Sequence, residues 1–240
     1  MKLVLFDIDG TLVWTDGAGR RAIHYALAQV FSCTVPSGYW FDGKTDPQIV
    51  RELMRLSGHQ DDYIHARMQP VFEIYVERLR AELRAPGYRP RVLPGVYDLL
   101  DQLESRDDVV LGLLTGNLAA GARAKLESVG IDPDRFRVGA FGSDHEDRPT
   151  LPELARRRVR ERLGLEVDGP DIVIIGDTPA DVTCGRAVGA RAIGVATGRY
   201  TPDELRRHGA AAVFTDLSDT HAVVAEILAL GRGTTPERER

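Results

Sequence analysis

Cysteine is nearly absent from this chain. The 240 residues hold two, Cys33 and Cys184. They share no metal-type spacing, which excludes a disulfide framework and a thiolate zinc site. Each reads as a small buried apolar group rather than a nucleophile. Long apolar runs are missing too: none approaches the ~20 residues needed to cross a bilayer. Met1-Lys2 leads straight into a short apolar run, without the pattern of a secretory leader. A reducing, cytoplasmic setting is therefore expected, with no membrane partner. Positive charge is not in excess. Lys and Arg total 31 against 36 Asp and Glu, a net charge of −5. That removes the electrostatic case for a nucleic-acid partner. The one basic stretch, Arg156-Arg157-Arg158-Val159-Arg160-Glu161-Arg162, reads as a solvated helix face. The six histidines lack His-x-x-x-His and His-x-His spacing, so a zinc hydrolase is not expected. No Gly-x-Ser-x-Gly elbow occurs.

Apolar runs of strand length do recur, at 3–6, 109–114, 138–141, 172–175, 192–195 and 212–214. Several are continuously apolar, which marks strands covered on both faces. Helical stretches separate them, so a parallel sheet built from right-handed crossovers is predicted. Asn117 is placed to cap a helix over 118–129, ended by Gly130. Thr201-Pro202-Asp203-Glu204 carries a capping-box signature. A further helix is predicted over 179–189, closed by Gly189. The alternation stops between residues 15 and 90. There the periodicity predicts helices over 17–31, 47–56 and 63–83, with no core strand. The reading is an α/β fold: a Rossmann-like parallel sheet flanked by helices, with an inserted α-helical cap subdomain. Residues 1–14 and 91–230 form the core, 15–90 the cap, and 231–240 a tail expected to be disordered. Residues 85–90 are expected to be the return hinge.

The chemistry concentrates at two strand ends. Asp7-Ile8-Asp9-Gly10-Thr11 follows the first apolar run, and Asp177 and Asp181 follow the fourth. Ligands of parallel sheets bind at the carboxyl ends of strands. If these two strands are neighbours, three or four carboxylates meet. At ~4 Å and an effective dielectric near 20, each like-charged pair costs about 4 kcal/mol. Such a cluster calls for a cation, and hard oxygen ligands suit Mg²⁺.

Four motifs in order resemble the haloacid dehalogenase superfamily, in its phosphatase branch with a helical cap. Asp7-Ile8-Asp9-Gly10-Thr11 matches the first motif and Leu113-Leu114-Thr115-Gly116-Asn117 the second. Arg148-Pro149 stands where the third has Lys-Pro, and Gly176-Asp177-Thr178-Pro179-Ala180-Asp181 matches the fourth. The resemblance implies a Mg²⁺-dependent phosphatase acting on a small phosphorylated metabolite, phosphoglycolate-like in this branch, through an aspartyl-phosphate. It implies that Asp7 is the nucleophile and Asp9 the acid and then the base. The implied metal site is Asp7, the Asp9 carbonyl and Asp177, with Asp181 as a direct or outer partner. Gly10, Thr11, Thr115, Gly116 and Asn117 would surround the phosphate, and Arg148 would offset charge. A guanidinium is not a neutral exchange for a lysine's point charge. Asp181 has a second reading, as the acid of a capping box with Thr178. Lys44, in a loop resembling one that faces the active site, is a substrate-binding candidate. Arg20 and Arg21 are weaker candidates of the same kind.

Rival readings are a sugar-phosphate mutase of the same superfamily, a P-loop NTPase and a non-catalytic binding protein. Residues 38–45 fit the P-loop pattern, but no good strand precedes them and three aromatics crowd the loop.

Overall fold

The computed structural model describes residues 1–33, 36, 38–87 and 89–231. Most of the tail expected to be disordered, 232–240, and Tyr88 of the expected hinge lie outside them.

Six strands form one sheet: β1 (Lys2–Phe6), β4 (Val109–Thr115), β5 (Val138–Phe141), β6 (Ile172–Gly176), β7 (Arg191–Val195) and β8 (Ala212–Phe214). All neighbours are parallel, in the order β5-β4-β1-β6-β7-β8. The chain builds outward from β1 through β4 to β5, then crosses to β6 on β1's other side. The reversal falls between β1 and β6, so the crevice at a topological switch point lies at their carboxyl ends.

Burial explains the unbroken apolar runs. Val4 and Phe6 face one layer with Leu111 and Leu113. That layer also takes Leu99, Leu100 and Leu103 of α5 (Val96–Glu104) and Val223 and Ile227 of α10 (Thr220–Ala229). Leu3 and Leu5 face the other layer with Ile172 and Ile174. There they meet Leu151, Ala155 and Val159 of α7 (Leu151–Leu163). The central strands β1 and β6 are thus buried at every position, as the middle of a doubly wound parallel sheet requires. No helix among the described residues is long and apolar enough to cross a membrane. Three arginines of α7 are paired: Arg156 with Glu153 at 2.7 Å, Arg157 with Glu161 at 3.6 Å and Arg158 with Asp144 at 2.6 Å.

Between β1 and β4 the chain makes α1 (Ala18–Phe31), α2 (Asp46–Leu56), α3 (Asp61–His65) and α4 (Met68–Arg84). Their apolar faces share a separate cluster with Leu118 and with Ala124 of α6 (Ala119–Ser128). Two local expectations need correction, and one element was not foreseen. The helix predicted over 63–83 is two helices, because Pro70 lacks the N–H that would bond Ala66, so the helix restarts just before it. The helix over 179–189 is α8 (Pro179–Cys184) plus a 3₁₀ turn, Arg186–Val188, with Gly185 packed tightly against Ile174 and Ala190 at the break. The stretch read as strand-free is flanked by an antiparallel ribbon of β2 (Val13–Trp14) and β3 (Arg91–Val92). The capping box at Thr201 and Glu204 forms as predicted, opening α9 (Pro202–Arg207).

Candidate active site

Asp7 is the first residue beyond β1 and Asp177 the first beyond β6. The two strands run in register, and the Asp7 N–H donates to the Ile175 carbonyl at 3.0 Å. Asp7, Asp177 and Asp181 are all buried, with one oxygen from each within 4.8 Å of the others. The turn after Asp9 needs Gly10, whose φ is +79° and whose Cβ, if present, would fall 2.5 Å from Asp177 Oδ2. The Thr11 hydroxyl donates to Asp177 Oδ1 at 3.2 Å.

Arg148 is buried at the start of α7's approach, with Nη2 3.2 Å from Asp7 Oδ1 and in contact with Asp181 Oδ1. Burial opposes its charge, but Asp181 and Asp7 hold the guanidinium more basic than usual. The same nitrogen, Nη2, meets both carboxylates, as a lysine's ammonium could, while Nη1 reaches the Gly43 carbonyl at 3.5 Å, a second arm that a lysine lacks. Asp181 is fully engaged: Oδ1 takes Arg148, while Oδ2 takes the Thr178 N–H at 2.9 Å and its hydroxyl at 2.6 Å. Its capping box opens α8. Burial, with Asp181 and Asp9 adding negative charge, pushes Asp7 up to about 7, against the pull of Arg148 and Thr115. Burial, with Asp181 and Asp7, likewise holds Asp177 far above the usual carboxylate range. Three carboxylates and one guanidinium leave two negative charges when ionised. A divalent cation balances them, and the donor set is oxygen alone, which fits Mg²⁺.

Thr115 ends β4, and its hydroxyl accepts the Asn117 side-chain amide at 2.8 Å. Asn117 does not cap the helix as predicted. The Leu118 N–H is satisfied instead by Asp46 Oδ2 at 2.8 Å and the Ala119 N–H by the Ser143 hydroxyl at 3.1 Å. This frees the Asn117 amide to reach Asp9 Oδ2 at 2.8 Å. Asp9 Oδ2 also takes Lys125 Nζ at 2.6 Å. Gly116 lies against residues 44–46: its carbonyl accepts the Asp46 N–H at 2.7 Å, and a Cβ on Gly116 would overlap the Lys44 carbonyl oxygen. Gly116→Ala is expected to destabilise the protein by roughly 1–3 kcal/mol, read as a lowered Tm, because backbone must move. An unchanged Tm would show that the contact is slack.

A cavity of about 410 Å³ opens on Asp7, Asp9, Thr115, Arg148 and Asp177. Its far wall comes from the inserted helices and the 40–46 loop, with Ile23, Trp40, Phe41 and Ile49 among its apolar groups. Lys44 lines it, but Nζ is bound to Glu52 at 2.5 Å and to the Tyr39 hydroxyl at 2.6 Å. Arg20 also lines it, donating to the Tyr39 carbonyl at 2.7 Å and stacking on Phe41 at 4.1 Å. Arg21 pairs with Glu82 at 2.7 Å. Among the described residues the element before 38–45 is the helix α1, not a strand, and Thr45 caps α2 by accepting the Gln48 N–H. The P-loop reading therefore finds no strand–loop–helix here. Sequence reasoning missed three cavity residues: Lys125, Asp46 and Arg199. Burial pushes Asp46 up to about 6 against the Lys125 charge and the Leu118 N–H. Arg199 stacks on Trp40 at 3.7 Å. The thiol of Cys184 is pushed up to about 12 by burial, which makes it inert.

This architecture defines a class. The family model for haloacid dehalogenase-like hydrolases matches residues 4–186, and the chain belongs to that family. It is an enzyme by that membership, a phosphoric monoester hydrolase, and several of its curated relatives are named as phosphatases. It is 28% identical over 225 residues to a phosphoglycolate phosphatase of Rhodospirillum rubrum, covering 90% of this chain and 88% of that protein. It is 26% identical over 221 residues to a 5'-nucleotidase of Pseudomonas aeruginosa, covering 92% and 94%. Among solved structures, a hydrolase from Pseudomonas syringae superposes with a TM-score of 0.70 at 23% identity, covering 95% of this chain and 99% of that one. At that identity the likeness speaks for the fold.

Proposed function

We propose that the chain is a Mg²⁺-dependent phosphatase that hydrolyses a small phosphomonoester through an aspartyl-phosphate on Asp7. One observation carries this reading: a buried carboxylate at the switch point faces a cavity, with two further carboxylates and a guanidinium against it. Asp7, Asp177 and the Asp9 carbonyl would hold the cation, which would supply charge neutralisation at the phosphoryl group. Asp181 fixes Arg148 and the start of α8, and Oδ1, with Arg148 as its one donor, borders the metal site as a direct or outer partner. Arg148 orients Asp7 and favours its ionised form, against the burial and the Asp181 charge that oppose it. Thr115, with the N–H groups of Gly116 and Asn117, receives the phosphoryl oxygens, while Gly10 and Thr11 keep the turn tight.

Asp7 attacks phosphorus as the ester P–O bond breaks. Asp9 gives a proton to the departing oxygen, then removes one from the water that cleaves the aspartyl-phosphate. Residues 15–90 act as a cap that excludes water and supplies the substrate wall. A phosphoglycolate-like substrate would place its second anion near Arg20 or Arg199. The two curated relatives act, by name, on phosphoglycolate and on 5'-nucleotides, so the tested panel spans both. Phosphate release should appear with at least one of phosphoglycolate, glycerol phosphate or a nucleoside monophosphate, and only when Mg²⁺ is present. Release from none of them would contradict the proposal.

A further inference from the structure

Lys125 sits in α6 with 4% of its side chain exposed. Burying an ammonium costs several kcal/mol unless it is well paired, and this one is paired on two sides. Nζ donates to Asp9 Oδ2 and to Asn117 Oδ1, both at 2.6 Å. The Asp46 carboxylate adds its charge from α2, and Tyr75, from α4, bonds that same carboxylate. From α1, Gly19 leaves the space that Lys125 fills: a Cβ there would lie 3.3 Å from Nζ.

The pairing fixes two groups at once. By accepting Lys125, the Asn117 Oδ1 atom sets the orientation of its amide, so that Nδ2 points to Thr115 and Asp9. Asp9 Oδ2 then takes two donors, Lys125 and Asn117, which saturates its two in-plane lone pairs. Asp9 Oδ1 has only a 3.4 Å approach from the Thr15 hydroxyl. Asp9 is the more open end of this pair, with 42% of its side chain exposed, and it lines the cavity beside Asp7.

We infer that Lys125 is a positioning residue: it pins Asp9 through Oδ2 so that Oδ1 carries the proton to the leaving group. This rests on the reading that Asp9 is the acid. In that step the Asp7–phosphorus bond forms and the ester P–O bond breaks. The bonding pair stays on the leaving oxygen, which takes the proton from Asp9 Oδ1. An alkyl alkoxide needs that proton, whereas p-nitrophenolate departs well without it. Loss of the pin should therefore be selective for poor leaving groups. A residue that only supported the fold would lower both substrates alike.

The test is the ratio of kcat/KM for glycerol phosphate to kcat/KM for p-nitrophenyl phosphate, measured with Mg²⁺ on each full-length variant. The ratio does not depend on how much of the sample is active, so partial misfolding cancels. Asp9→Asn should lower it by ~10²-fold or more, the usual scale of general acid catalysis. Lys125→Met should lower it by ~10-fold or more, and should lower it no further in the Asp9→Asn background. If the Met variant gives no soluble protein, Lys125→Gln gives the same readout. A collapsed ratio in Asp9→Asn with an unchanged ratio in the Lys125 variant overturns the inference, and so does equal loss on both substrates. An unchanged ratio in Asp9→Asn itself would instead sink the acid role.

Discussion

Asp7→Asn is expected to lower kcat by about 10⁴–10⁶-fold, the scale seen when the nucleophile of a covalent mechanism is removed. The amide keeps the shape of the carboxylate and can still accept from Arg148, so the fold should persist. Stability should move the other way from activity. Asp7 is buried, and its carboxyl is pushed up to about 7 mainly by that burial and by Asp181. At pH 8 its ionisation is unfavourable to the metal-free fold. Replacing it should raise the Tm of the metal-free protein at pH 8 by a few degrees, on the order of 1–2 kcal/mol. A variant with near-normal turnover would contradict the nucleophile assignment. A variant with a lowered Tm would show that Arg148 depends on the Asp7 charge more than the acids suffer from it.

Removing divalent metal is the second large effect. Chelation should reduce phosphate release to background, and Mg²⁺ should restore it. An Asp raised from 3.8 to about 7 keeps its proton in the folded state where the unfolded chain has lost it. The metal-free protein therefore loses stability as pH climbs from about 4 through 7, where the unfolded chain binds fewer protons. Asp177 is shifted the same way and adds to this. Mg²⁺ binds the ionised cluster, so its stabilising effect should grow over the same window. At a hundredfold excess over its Kd the gain is ~2.7 kcal/mol, or roughly 5–10 °C for a chain of this size. The Tm rise on adding Mg²⁺ should be clearly larger at pH 8 than at pH 5. An equal rise at both, or a larger one at pH 5, would place the ion elsewhere.

The six sheet strands were legible because each is a short run with no polar interruption, and burial on both faces demands that. The acidic pairs were legible because strand ends sit next to them in the chain. What escaped was set by contacts across the fold. The Val13–Trp14 and Arg91–Val92 ribbon has two residues per strand, too few to show any period. The break before α4 had a signal, Pro70, which the apolar spacing around it masked. Asn117 looked like a cap, yet Asp46, 72 residues upstream, satisfies the Leu118 N–H. Lys125 was invisible for a related reason: a lysine in a helix normally points to water, and its partner Asp9 is 116 residues away. A sign was present all the same. Gly121, four residues before it, puts Lys125 on a helix face that packs close to Tyr75 and Leu79. Arg148 was identified by its place in the motif order, but only the fold reveals that its Nη2 meets both Asp7 and Asp181.

The account stands on which oxygen accepts the phosphoryl group. Quenching steady-state turnover with borohydride reduces an aspartyl-phosphate to homoserine, and peptide mass mapping then reads its position. Homoserine should appear at residue 7, and only when substrate and Mg²⁺ are both supplied. Homoserine at residue 9, 177 or 181, or at no residue under saturating substrate, would contradict it.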